Sequence, residues 1–185
     1  MQCNTDKNAI RAFMKEKRRS LTEYEKESKS RAICTAFTAL KAFKDAKNVC
    51  VYMSAFKEPD TSLIIEESLR LGKNVSVPVI DGDKIYLCKY STETISGAYG
   101  IREPEERVRV DVGNVDIFAV PALAFDRKGG RVGFGKGYYD SLLENAKGVK
   151  VGILYGFQLI ENVPVEKHDV LMDYLITEKQ VISCR

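Results

Sequence analysis

The chain has 185 residues, 44% hydrophobic and 30% charged, with a formal net charge of +3. That balance suits one domain with its own core and is too apolar for a disordered polymer. No apolar run reaches the roughly 18 residues a membrane span needs. The opening MQCNTDKNAIRAFMKEKRR has no apolar signal-peptide core. The expectation is a single domain, 1–185, in the cytoplasm, with no membrane partner. Cys3, Cys34, Cys50, Cys88 and Cys184 are odd in number and form no CxxC pair. They read as reduced thiols and not as a zinc or disulfide framework. A lone His168 cannot build a multi-histidine metal site and reads as a structural hydrogen-bond donor. Residues 1–47 hold 12 Lys or Arg against 6 Asp or Glu, while the remainder nets −3. Because acids and apolar residues interleave with the bases, this arm reads as a solvated helical face. It is not a nucleic-acid patch, although one or two of its cations can still reach a bound phosphate.

In chain order, Ile10, Phe13 and Met14 make a one-sided stripe that predicts an amphipathic helix over 6–18. Thr22 and Glu25 have capping-box spacing, so a second helix should run from about 22 to 43 with Ile33, Phe37 and Leu40 inward. The two occupy 1–45. Val49–Met53 is a short β-rich run, a buried strand. Asp60 or Thr61 can cap a helix ending near Gly72. Val75–Ile80 and Lys84–Tyr90 flank Asp81-Gly82 and predict a hairpin. Residues 91–114 show little periodicity and read as a long functional loop. Ile117–Val120 is an apolar strand. Tyr139, Leu142, Leu143 and Ala146 fall at helical spacing, Val149–Tyr155 is a strand, and Tyr174–Thr177 is the last. Strands alternating with helices predict an α/β domain with a largely parallel sheet flanked by helices, Rossmann-like and three-layered, preceded by an N-terminal pair of helices. Ligands of such sheets sit beyond the carboxyl ends of strands. The loops after Met53 and Val120 are candidates.

The chemistry concentrates between Gly129 and Asp140, where five glycines fall in nine residues. Glycine lets backbone N–H groups converge on an anion, and a helix beginning near Gly137 would add its positive dipole end. Lys136 supplies mobile charge and Arg131 forked charge. The segment nearly matches GxxxxGK[ST] from Gly130 to Lys136, but Gly137 stands where a magnesium-binding hydroxyl belongs. Nor is it GxGxxG. A phosphate-binding loop and a flexible turn before a helix both remain open on spacing alone.

RVGFGKGYYD resembles the RLGxGxGYYD signature of the 5-formyltetrahydrofolate cyclo-ligase (methenyltetrahydrofolate synthetase) family. The likeness covers nearly the whole chain. Lys7 and Arg11 match the family's N-terminal lysine and arginine. Glu58-Pro59-Asp60-Thr61 is similar to its substrate loop, DIFAVPALAFD at 116–126 to the strand before the signature, and residues 163–169 with 173–177 to its closing motif. Val132 replaces the usual leucine, and Phe134 occupies a variable position. The resemblance implies ATP-dependent cyclisation of 5-formyltetrahydrofolate to 5,10-methenyltetrahydrofolate, through phosphorylation of the formyl oxygen. It implies that Lys7, Arg11 and Arg131, Val132, Gly133, Phe134, Gly135, Lys136, Gly137, Tyr138 and Tyr139 bind ATP, with Lys136 and Arg131 catalytic. Met53, Glu58, Tyr99 and Phe134 to Tyr138 would contact the folate, mono- or polyglutamylated. Asp140 and Asp173 would hold Mg²⁺, in a monomer or weak homo-oligomer. Plainer readings stay beside these. Asp140 can be a first-turn helix acid, Asp173 a strand-edge acid, Met53 and Tyr99 packing residues, and Glu58 a turn-shaping residue. A second class, an α/β sugar-phosphate isomerase using the loop for a substrate phosphate, would leave Lys7 and Arg11 without a task. A third is a nucleic-acid or folate-binding module without catalysis.

Overall fold

The computed structural model describes residues 6–166 and 169–184. Its first helix, α1 (Lys7–Arg19), begins where the Asp6 carboxylate accepts the Asn8 N–H at 2.9 Å. It ends on Lys17, Arg18 and Arg19, which suit the negative end of the helix dipole. Ile10 and Met14, four apart on one face, pack on Leu123, Ala124 and Val132.

The capping box opens α2 (Glu23–Ala39): Thr22 Oγ1 accepts the Glu25 N–H at 3.2 Å, and the Glu25 carboxylate accepts the Thr22 N–H at 3.0 Å. The helix does not continue to residue 43. It breaks at Leu40 (φ −57, ψ 138) and resumes as α3 (Lys41–Asp45). In one unbroken helix Phe37 and Phe43 would point to different sides. The break brings both buried rings edge to face with centroids 5.6 Å apart.

β1 (Asn48–Cys50), α4 (Ser62–Arg70) and β2 (Asn74–Asp81) form the first parallel crossover. Thr61 does not cap α4 with its side chain; its hydroxyl donates to the Tyr52 carbonyl, and Asp60 accepts the Ser62 N–H. The predicted hairpin forms: the chain turns at Gly82 (φ 60) into β3 (Lys84–Lys89), antiparallel to β2. Residues 91–114 are more ordered than their sequence suggests. They hold a ribbon of β4 (Thr94–Ser96) with β5 (Arg102–Pro104), then β6 (Arg109–Val110) on the sheet edge. Strands this short cannot display a period-two pattern.

The second half runs β7 (Ile117–Pro121), β8 (Ala124–Asp126), β9 (Arg131–Val132), α5 (Tyr138–Leu143) and β10 (Val149–Ile153). β11 (Leu159–Ile160), β12 (Tyr174–Ile176) and β13 (Val181–Ser183) follow. The strand at Tyr174 is therefore not the last; β13 returns antiparallel to it. β8, β9 and β11 make a separate three-stranded sheet.

The main sheet has the order β13-β12-β10-β7-β1-β2-β3-β6, and its pairings from β12 through β2 are all parallel. Side chains alternate faces along each strand. Val49, Ile117 and Ala119 enter one core with Ile33, Phe37 and Ile64, while Cys50, Phe118 and Val120 enter the other with Leu142 and Leu143. From β1 the chain proceeds to β2 on one side, and from β7 to β10 on the other. The strand order thus reverses between β1 and β7, and a crevice opens at their carboxyl ends. Among the described residues no helix is long and apolar enough to cross a membrane.

Gly148 allows the turn into β10 to pass close to the start of β7: a Cβ there would lie 2.3 Å from the Val115 carbonyl oxygen and 2.7 Å from Asp116 backbone atoms. Gly148→Ala should cost about 1–3 kcal/mol, read from urea denaturation midpoints. A Cβ at Gly113 would meet nothing nearer than 3.4 Å, so Gly113→Ala should stay within about 0.5 kcal/mol of wild type.

Candidate active site

The crevice at the strand-order reversal is a cleft of about 1010 Å³. Its walls are one face of α1, the loop after β1, the apolar side of the β2–β3 hairpin with Tyr99 and Ile101, and the glycine-rich segment.

That segment divides into two parts. Gly129 and Gly130 belong to the β8–β9 hairpin, where the Asp126 carboxylate accepts the N–H groups of Lys128, Gly130 and Val163 at 3.0, 3.0 and 2.8 Å. A Cβ on Gly129 would strike the Met172 carbonyl oxygen at 2.5 Å. The part that faces the cleft starts at Arg131. There Gly135 (φ 100) and Gly137 (φ 69) adopt left-handed conformations that favour glycine. Gly137 precedes α5, a helix of only six residues.

α1 braces this loop. Arg11 Nε donates to the Gly133 carbonyl at 3.0 Å, and its guanidinium lies so near Gly135 that a Cβ there would be 3.3 Å from Cζ. Lys7 Nζ pairs with Glu166 at 2.8 Å and Asp169 at 3.2 Å. Burial pulls the Lys7 ammonium down, but these acids outweigh it and leave its pKa above the ordinary value. Arg131 is buried and donates to Asp140 Oδ1 at 2.5 Å. Burial holds its pKa below the ordinary value, with Asp140 opposing. Lys136 is exposed at the tip of the loop and lines the cleft.

The opposite half is apolar, with Pro78, Ile80, Ile85 and Ile101 in its wall. Met53 is half-buried beside it. Glu58 is buried; its Oε2 accepts the Ala55 N–H at 3.1 Å and its Oε1 lies 3.6 Å from Arg18. Burial pushes its carboxyl up and Arg18 opposes. Tyr99 is exposed with φ 57. The Tyr138 hydroxyl donates to the Gly82 carbonyl at 3.2 Å, and its hydrogen bond with Tyr99 raises its pKa. Tyr139 is half-buried, its phenol held well above the ordinary value by burial, and its ring centroid lies 5.9 Å from Arg131 Cζ.

The fold therefore brings Lys7, Arg11, Met53, Glu58, Tyr99 and the 131–140 segment to one cleft, including Val132, Gly133 and Phe134. It does not bring Asp173 there. Asp173 Oδ2 accepts the Lys150 N–H at 2.8 Å and its own N–H donates to the Lys150 carbonyl at 2.8 Å, at the amino end of β12. The cleft lies at the other end of the parallel strands. Asp169 lines the cleft instead, beside Val170, whose N–H donates to Asp140 Oδ1 at 3.3 Å. Lys15 and Arg18, not among the expected site residues, also line the cleft. Their signal was present, because Lys7, Arg11, Lys15 and Arg18 follow helical spacing on one face. Cys3 and His168 lie outside the described residues. Cys34 and Cys50 are buried thiols pushed up to about 12 by burial, unsuited to nucleophilic work.

A family model described as the 5-formyltetrahydrofolate cyclo-ligase family matches residues 3–178. The chain belongs to that family. It is 31% identical to the 5-formyltetrahydrofolate cyclo-ligase of Mycolicibacterium smegmatis over 95% of each chain. The solved 5,10-methenyltetrahydrofolate synthetase of Aquifex aeolicus superposes with a TM-score of 0.86 at 38% identity, over 97% of this chain and 93% of that one. The Mycoplasma pneumoniae synthetase gives 0.79 at 25% identity, over 94% and 99%.

In this cyclo-ligase fold Asp140 neutralises a buried guanidinium. Asp140→Asn should keep the fold but lower stability by about 1–3 kcal/mol, less than for a fully buried pair because Asp140 retains some exposure. Urea denaturation of variant and wild type checks this.

Proposed function

We propose that this cleft closes 5-formyltetrahydrofolate to 5,10-methenyltetrahydrofolate at the expense of ATP, with the nucleotide along α1 and the glycine-rich loop and the folate against the apolar wall. The observation that carries the reading is the joining, within one cleft, of a cationic, glycine-lined half to an apolar half with a buried carboxylate. The domain is read as Rossmann-like, with ATP at the strand-order reversal. An isomerase acting on a small sugar phosphate would use only the cationic half, and the family match does not favour it.

An amide oxygen leaves poorly. In the proposed sequence the formyl oxygen attacks the γ-phosphorus, the bond to ADP breaks, and the oxygen becomes part of a phosphate leaving group. The distal amine nitrogen then attacks the formyl carbon, gives up its proton, and closes the ring as the C–O bond to phosphate breaks. Such a sequence needs positioning and charge neutralisation more than proton transfer. Backbone N–H groups of residues 132–137 would cradle the phosphates. Lys7, Arg11 and Arg131 would bind them, and Lys136 would follow the transferring phosphoryl group. Met53 and Tyr99 would pack against the folate, Glu58 would accept its hydrogen bonds, and Phe134 to Tyr138 would lie between the two substrates.

The donor set in the cleft fits Mg²⁺. Among the described residues no cluster of three or more His, Cys, Asp or Glu is arranged to enclose a metal. Mg²⁺ is usually held by only one or two carboxylates together with substrate phosphates. Asp140 and Asp169, and not Asp173, would be those carboxylates. When bound, the ion would neutralise charge on the phosphates. Arg131 and Lys7 balance these acids in the structure, and each cation would have a phosphate to turn to were the nucleotide bound.

Mixing the protein with Mg·ATP and 5-formyltetrahydrofolate should raise the near-ultraviolet absorbance of the conjugated methenyl product, and omitting ATP should abolish the rise. Absence of product under all conditions would overturn the reading. Lys136→Met should lower kcat by at least about tenfold with unchanged denaturation midpoints, since the side chain is exposed. Asp169→Asn should raise the Mg²⁺ concentration for half-maximal rate about tenfold or more, while Asp173→Asn should leave it within about twofold.

A further inference from the structure

The turn after β1 is held in an unusual backbone shape. Phe56 (φ 49) and Lys57 (φ 56) are consecutive non-glycine residues in the left-handed region, where a Cβ is crowded by the backbone. The turn points successive carbonyls inward, and they converge on one guanidinium. Arg18 Nη2 donates to Ala55 at 3.3 Å and Phe56 at 2.9 Å, and Nε donates to Lys57 at 3.3 Å. Glu58 Oε1 lies 3.6 Å from the same Nη2. Arg18 comes from the last turn of α1 and is only 2% exposed. Its Nη1 is buried and meets no acceptor among the described residues.

The same group reaches the glycine-rich loop. Arg18 Cζ lies 5.8 Å from the centroid of Phe134, within cation–π range, and the Phe134 ring is 6.2 Å from Phe56. One guanidinium therefore ties the turn that carries Glu58 to the aromatic tip of the nucleotide half. Nothing in the mechanism above uses it.

We propose that Arg18 is a positioning residue for the cyclisation, holding the Glu58 carboxyl group aimed at the folate and locking the 54–58 turn against the glycine-rich loop. The inference rests on the folate role of Glu58. The groups facing Glu58 are Arg18 from α1 and the phenols of Tyr52, Tyr139 and Tyr155. Burial holds all three phenols above their ordinary pKa, so they stay neutral; the carboxylate is favoured by the Ala55 N–H and, more strongly, by the guanidinium. Removing it raises the pH at which Glu58 takes a proton.

The test is steady-state kinetics of Arg18→Met and Arg18→Lys across a pH series, with each substrate varied separately. In Arg18→Met, KM for 5-formyltetrahydrofolate should rise about tenfold or more, while KM for ATP changes by less than about threefold. The acid limb of kcat/KM for the folate should move to higher pH. Arg18→Lys keeps the charge but not the fork that spans three carbonyls. It should return the acid limb to its wild-type position while the folate KM stays raised. An unmoved acid limb in Arg18→Met, or equal increases in both KM values, overturns the proposal. Should Arg18→Met not fold, Arg18→Lys decides alone: a raised folate KM with an unchanged ATP KM supports the assignment, and wild-type values for both overturn it. An inactive wild-type protein would overturn the cyclisation reading and this inference together. An active wild type with unperturbed Arg18 variants would overturn this inference only.

Discussion

A cleft built to receive a polyanion must be cationic, and a cationic cleft repels itself until the anion arrives. Here the repulsion is balanced by carboxylates inside the fold. Arg131 is held by Asp140, Lys7 by Asp169 and Glu166, and Arg18 by Glu58. The pairs differ in depth. Burial depresses Arg131, whereas the acids around Lys7 outweigh its partial burial and leave its pKa raised. A buried pair of this kind adds little net stability by itself, but losing one partner strands the other's charge. The organisation of the site follows from that constraint. Each of these cations has a carboxylate partner that holds it in place.

The sheet supplies the place for this arrangement. Parallel strands carry their carboxyl ends to one edge, and the reversal between β1 and β7 opens a gap there that no crossover covers. The loop after β1 forms one wall and the segment after β9 another. α1, outside the sheet, closes the third by packing Ile10 and Met14 on Leu123 and Val132 while its next face turns Lys7, Arg11 and Arg18 inward. Its apolar stripe docks the helix and its cationic stripe lines the cleft, so the basic face, read from sequence as solvated with one or two cations free to reach a phosphate, turns several cations into the cleft.

The two halves of the cleft meet at Phe134. This residue sits at the variable position of the signature, and its ring touches the cation of Arg18 and the ring of Phe56. The glycines around it set the backbone path, and the side chain at this position makes the contact with the turn that carries Glu58. Phe134 thus connects features that are remote in sequence.

Much of this was legible in the sequence because it depends on neighbours along the chain. The capping box at Thr22 and Glu25, the Asp81-Gly82 hairpin, the alternation of strands with helices, and glycines where φ must be positive are local steric and hydrogen-bonding demands. Lys7 and Arg11, expected from the family resemblance, lie four apart on one face of α1 and line the cleft. The choice between Asp169 and Asp173 was not legible. Both acids lie in one short irregular stretch, and the fold pairs Asp173 with the Lys150 backbone away from the cleft while Asp169 meets Lys7 in the cleft wall. The break at Leu40 depends on where two phenylalanines find a common core, and the ribbon of β4 and β5 on partners too short to announce themselves. Arg18 meets the carbonyls of residues 55–57 only because α1 packs on Leu123, Ala124 and Val132, far along the chain. Local stereochemistry determined the elements and the loop; contacts between residues far apart in the chain decided which charges face each other.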